Sequence, residues 1–186
     1  SYLRQCVRDV SEKANFITAV SKKTLSDFVN YVGTKIKAPT RVITNGVSIK
    51  DFENTSLLPY RHQRPYIFAL GRLVPQKGFR FLIQAFKESG LASHDLLIAG
   101  DGPEKKFLLD SSLELGLAER CHFLGMCDRP KIAALFKGAN FVVIPSQADE
   151  GFPVVCVEAM AASRTIIGTR VGGIPEAIVD GETGLL

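Results

Sequence analysis

The chain has 186 residues, 46% hydrophobic and 23% charged, the proportions of a globular protein with a core. That length suits one domain, or one domain with part of another. No apolar run reaches the roughly 18 to 20 residues that a membrane-spanning helix needs.

The net charge of +4 is uneven: residues 1–64 carry 11 Lys and Arg against 5 Asp and Glu, and residues 65–186 carry 12 against 14. The basic residues are scattered and lack interleaved aromatics, so nucleic acid is not an expected partner. They form no cluster of about four to eight that would require an anionic membrane, although peripheral contact stays open.

In chain order, the opening SYLRQCVRDVSEKA is amphipathic and charged, unlike a secretory signal, and reads as a helix over 3–13. NFITAV (15–20) reads as a strand, and Ser21 is a suitable N-cap for a helix over 22–32. RVIT (41–44) is a further short strand. These elements are too few to bury a core, so residues 1–47 are expected to be the end of a domain whose body lies elsewhere. Residues 48–64 are polar and read as a structureless linker.

From residue 65 the pattern changes. Apolar runs YIFAL (66–70), DLLIA (95–99), CHFLG (121–125), NFVVIP (140–145) and RTIIGT (164–169) alternate with amphipathic segments at 79–89, 103–116, 129–139 and 152–162. A short helix over 174–179 precedes the final GLL, which ends in mid-strand, so a larger parent protein is expected. Near-continuous apolar strands are those of a parallel sheet covered on both faces. Repeated strand–helix units with short connections predict an α/β, Rossmann-like sheet over 65–186. Ligands of such sheets bind at the carboxyl ends of the strands, so the loops there are the candidates for chemistry.

Four such loops are informative together. GRLVPQKG (71–78) sets Arg72 and Lys77 beside a helix start, which suits phosphate, although a solvated basic loop has the same composition. AGDGPE (99–104) has two glycines and a helix-opening proline, which equally describes a plain structural turn. PSQADEGFP (145–153) puts Asp149 and Glu150 ahead of a helix opened by Pro153, with Glu158 about a turn and a half inside it. An acid among valines is costly unless bonded; ligand hydroxyls would satisfy it, as would capping of its own helix. TRVGGIPE (169–176) repeats the glycine–proline theme.

Cys6, Cys121, Cys127 and Cys156 lack metal or disulfide spacing, and Cys156 reads as a buried thiol in a reducing compartment. His62, His94 and His122 are scattered, His122 reads as structural, and no metal site is expected. Walker, G-x-G-x-x-G and nucleophile-elbow signatures are missing.

GRLVPQKG, GDGPE, EGFPVVCVEAMA and GGIPE, in this order and spacing, resemble the C-terminal domain of the retaining glycosyltransferases of family four, enzymes of GT-B fold. That family includes glycogen and sucrose synthases and sugar transferases of lipopolysaccharide and capsule assembly. ITAVSKKT (17–24) and RVITNGVS (41–48) resemble the end of the family's N-terminal domain and its crossover strand.

The resemblance implies a hexosyltransferase whose cleft takes a UDP- or GDP-sugar donor, with no cofactor and no metal. Arg72 and Lys77 would hold the donor diphosphate and stabilise it as leaving group. Glu158 would bind ribose hydroxyls, and Glu150 the transferred sugar. Gly151, Phe152, Pro153 and Val154 would approach sugar and phosphate, with Leu124 and Gly125 near the base. The glycan or lipid-linked acceptor would sit on the absent N-terminal domain, so the fragment alone is expected to be inactive. The setting implied is cytoplasmic, with peripheral contact at the inner membrane face left open.

Two departures stand out: Ser163-Arg164-Thr165 replaces the family's usual Gly-x-Pro turn, and Ser48 stands where Asp is common. A non-catalytic nucleotide-sugar-binding module and a nucleotide-sugar 2-epimerase remain alternatives.

Overall fold

The computed structural model describes residues 2–33, 36–53, 57–148 and 150–186. Its first unit comprises α1 (Tyr2–Lys13), β1 (Ile17–Ala19), α2 (Lys22–Val32) and β2 (Thr40–Val42). The two strands pair in parallel, Ile17 opposite Thr40. Ser21 caps α2 as expected: its hydroxyl accepts the Thr24 amide at 3.0 Å, satisfying a donor that the first helical turn leaves free.

The main sheet holds β3 (Tyr66–Leu70), β4 (Asp95–Ala99), β5 (Cys121–Gly125), β6 (Phe141–Ile144), β7 (Thr165–Gly168) and β8 (Gly184–Leu185). Their order is β5-β4-β3-β6-β7-β8 and every pairing is parallel. Between them run α4 (Phe79–Glu88), α5 (Lys105–Glu114), α6 (Arg129–Gly138), α7 (Val154–Ala161) and α8 (Ile174–Ala177). The five apolar runs all form strands, as near-continuous apolar segments do in a parallel sheet covered on both faces.

The two-residue alternation of strand side chains divides the core. Tyr66, Phe68, Leu97 and Ala99 face one cluster with Phe136 of α6 and Cys156 of α7. Ile67, Ala69, Leu96 and Ile98 face the other, with Phe79 and Ile83 of α4 and Leu108 of α5. Tyr66 keeps its polar tip by donating to the Leu135 carbonyl at 2.7 Å, and burial pushes its hydroxyl pKa well upward.

The expectation of a structureless stretch over 48–64 is corrected. A short helix, α3 (Lys50–Glu53), buries Phe52, whose ring meets Phe136 edge-on at 6.3 Å between centroids. Tyr60 donates its amide to Ala134 at 2.8 Å, and Lys137 Nζ donates to the Leu57 carbonyl at 2.8 Å. The segment is therefore strapped along α6. One phenylalanine among polar residues gives no periodic signal, so the sequence pattern concealed it. Residues 54–56 lie outside the described residues.

The departure at 163 has a clear backbone consequence. Ser163 ends the α7 turn at φ 56°, and it is the one non-glycine with positive φ among the described residues. The left-handed conformation costs an L-residue about 1–2 kcal/mol. Ser163→Gly should therefore stabilise the chain by about 1 kcal/mol, partly offset by glycine's greater unfolded freedom. A melting midpoint about 2–4 °C higher is expected by calorimetry.

Candidate functional site

β3 and β6 are neighbours, but the chain leaves them in opposite directions along the sheet. A crevice opens at such a switch point, outside the carboxyl ends of the strands. Here its walls are the loops 71–78 and 145–153. The loops lock together through backbone: the Gln147 amide donates to Gln76 O at 2.8 Å, and the Gly173 amide to Glu150 O at 2.7 Å. Contact is so close that a Cβ on Gly78, which has φ +69°, would stand 2.0 Å from Pro145 O. One on Gly173 would stand 1.8 Å from Gly151 O. Thr169 adds a side-chain tie, its hydroxyl donating to Ser146 O at 2.7 Å.

The polar groups of the crevice converge on one carboxylate. Lys77 Nζ donates to Glu150 Oε1, and Ser146 Oγ donates to the same oxygen at 2.7 Å. Lys77 and Glu150 were assigned to different parts of a ligand by resemblance; here they form one ion pair bridging the two loops. Asp149 lies outside the described residues.

Arg72 is exposed, and its guanidinium makes no hydrogen bond or ion pair among the described residues. It borders a cavity of about 400 Å³ shared with Gly71, Gly100, Asp101, Met126 and Cys127. Across that cavity, Lys105 and then the Gly102 amide hold the Asp101 carboxyl below the ordinary carboxylate range.

Leu124 packs against the core, and the cavity wall after β5 is supplied by Met126 and Cys127. The sequence reading missed both. The signal was Gly125, whose φ of 67° turns the chain so that the next residues, not Leu124, border the opening.

α7 begins at Val154, with Pro153 at the N-cap position, φ −65° and ψ 127°. Phe152 is half-buried, and its carbonyl accepts from Asn45 Nδ2 at 2.7 Å, tying the connecting segment to this loop. A second tie is stronger. Glu176 of α8 accepts the Lys22 and Lys23 amides, each at 2.8 Å, so an acid of the GGIPE loop caps the N-terminus of α2.

Glu158 lies inside α7, half-buried beside Asp51, Phe52, Arg129 and Ile132. Its carboxylate takes no hydrogen bond among the described residues. Burial raises its pKa above the ordinary 4.5, and the Arg129 charge only partly offsets this. Capping of its own helix does not account for it, since it sits beyond the first turn. Nearby, burial and then the Glu150 charge push the Cys156 thiol up to about 12, so this cysteine is inert.

The histidine reading is corrected. His94 pairs with Ser93 at 3.0 Å, but His62 and His122 are not scattered. Both turn Nε2 toward Asp95 Oδ2, at 2.7 and 3.3 Å. The chain separation of the three residues hid this, because only the parallel pairing of β4 with β5 and with β3 brings them together. They lie at the amino edge of the sheet, opposite the crevice.

The sequence model of the family described as "Glycosyl transferases group 1" matches residues 53–186. An uncharacterized glycosyltransferase of Methanocaldococcus jannaschii is 34% identical over 159 residues, covering 84% of this chain and 42% of its own length. A GDP-mannose-dependent alpha-(1-6)-phosphatidylinositol monomannoside mannosyltransferase of Mycolicibacterium smegmatis is 30% identical, covering 97% of this chain and 51% of its own length. Among solved structures, Anabaena HepE in complex with UDP and glucose superposes with a TM-score of 0.87 at 28% identity, covering 99% of this chain and 52% of that one. The chain thus spans about half the length, or less, of the curated relatives it matches. No helix among the described residues is long and apolar enough to cross a membrane.

An acid whose folded pKa is raised loses stability as pH rises from its unfolded value through its folded one. Glu158→Gln should therefore melt higher than the parent chain at pH 7. The difference should vanish as pH falls below about 4.5, where both side chains are neutral. Melting curves between pH 4 and 8 measure it; a constant difference would assign the effect to packing.

Proposed function

The chain belongs to the group 1 glycosyl transferases, and we propose that it is the donor-binding half of a retaining hexosyltransferase using a UDP- or GDP-sugar. The observation that carries this reading is the layout of the crevice at the β3–β6 switch point. Lys77 and Glu150 form its floor, Arg72 stands beside it without a partner among the described residues, and Glu158 holds an unbonded carboxylate further along α7. A cation-rich mouth suits a diphosphate, and an unbonded, half-buried acid suits vicinal hydroxyls, as on a ribose. The relatives named for GDP-mannose and solved with UDP support the same donor class.

In this reading the anomeric carbon–oxygen bond breaks toward an oxocarbenium-like state, and negative charge gathers on the departing diphosphate. Arg72 and Lys77 stabilise that charge from fixed positions, without requiring a metal. Glu150 keeps Lys77 aimed into the crevice through Oε1, leaving Oε2 for a hydroxyl of the transferred sugar. Met126 and Cys127 give an apolar wall where the base can rest. The incoming acceptor hydroxyl, glycan or lipid-linked, attacks the face that the diphosphate leaves and passes its proton to the departing diphosphate oxygen, so configuration is kept without a covalent enzyme intermediate. The chain spans about half the length of the relatives it matches, so in this reading the acceptor site lies outside it and turnover requires the whole protein.

The test uses the full-length protein. Arg72→Ala and Glu158→Ala should each lower turnover about 10²- to 10³-fold, the cost of removing a preorganised charge-stabilising group. Calorimetry with UDP- and GDP-sugars should show weaker donor binding in both variants. Near-normal turnover in both variants would overturn the assignment. Binding without turnover would indicate a non-catalytic module, and conversion of the sugar without any acceptor an epimerase.

A further inference from the structure

The amino edge of the sheet holds a second cluster of chemistry-bearing side chains, remote from the crevice. Asp95 opens β4 with a side chain only 4% exposed. A buried carboxylate is costly unless its oxygens are engaged, yet Oδ1 accepts no hydrogen bond. Its nearest cation is Arg64 Nε at 3.4 Å, and the Arg64 guanidinium is spent on the Ala92 and Ser93 carbonyls. Oδ2 faces the Nε2 atoms of His62 and His122 together, and the three candidate donor atoms lie within 4.8 Å of one another. The imidazoles meet edge-on with centroids 5.0 Å apart.

We propose that His62, Asp95 and His122 form a binding site for a divalent transition metal of the zinc class. The donor chemistry selects the ion: two neutral imidazoles and one carboxylate suit zinc, cobalt or nickel and are poor ligands for magnesium or calcium. Ligand bonds of about 2.0–2.2 Å need only small side-chain rotations from this arrangement. The site is reachable. The His62 and His122 side chains are 18% and 34% exposed, and His62 borders a surface cavity of about 440 Å³. Solvent can therefore complete the coordination. The ligands come from three segments: the strap before β3, the start of β4 and the start of β5. A bound ion would pin the strap to the sheet, a structural role independent of the donor crevice.

The chain, stripped with chelator, is titrated with Zn²⁺ by calorimetry and with Co²⁺ by visible absorption. One equivalent should bind, with cobalt ligand-field bands, and Zn²⁺ should raise the melting midpoint. His62→Ala and His122→Ala, both at partly exposed positions that leave the core intact, should each weaken binding at least tenfold and abolish the midpoint shift. Cys6→Ser and Cys127→Ser should leave both unchanged, excluding thiolate ligands. Absence of saturable binding, or affinity undiminished in either histidine variant, would overturn the proposal and leave a hydrogen-bonded His–Asp–His array.

Discussion

Along the carboxyl edge of the sheet, backbone rests directly on backbone, and the rest of the molecule is arranged around that constraint. Parallel strands deliver every strand-to-helix loop to one edge, where successive strands are only about 4.8 Å apart. Loops so crowded cannot each carry side chains inward. Where Gly78 meets the Pro145 carbonyl and Gly173 meets Gly151, the absent Cβ is what lets the crevice walls close. The amide-to-carbonyl bonds between those walls then fix the positions from which Lys77, Glu150 and Arg72 project. Precision at the site is thus a property of the backbone, and the charged side chains inherit it.

The same edge carries a cost. Glu158 is held half-buried and unbonded, with its charged form disfavoured by desolvation. A sequence selected for stability alone would place an amide or an apolar residue there. The donor-binding role proposed for Glu158 would account for such an unbonded, half-buried acid. Lys77 and Glu150 behave differently: each satisfies the other, so the crevice floor is stable when empty and its charges stay aligned.

Periodicity made most of the fold legible. The five apolar runs became β3 to β7, and Ser21 could be read as a cap because capping chemistry is local. What failed to show was whatever depends on contacts distant in sequence. Phe52, with Asp51 and Glu53 on either side, looked like part of a polar linker until α6 supplied its partner, Phe136. His62 and His122 looked scattered until the pairing of β4 with β5 on one side and with β3 on the other brought both against Asp95. The sequence singles out the loop residues Arg72, Lys77 and Glu150 and the helical Glu158 as candidates. The pairing of Lys77 with Glu150 is not legible there, since composition cannot say which loop a cation crosses to. Met126 and Cys127 carry no pattern of their own, since they border the opening only through the turn that Gly125 makes after the strand.

The contact of Glu176 with α2 bears on motion. Both oxygens of that carboxylate accept helix-terminal amides from the segment that precedes the sheet domain. Swinging α2 away would strand two N–H donors at once, together with a negative charge favoured by the positive end of the helix. Rotation about an axis through this contact would strand neither. The GGIPE loop and α2 are therefore joined at one point by two bonds, and any displacement of α2 from the sheet would break both at once.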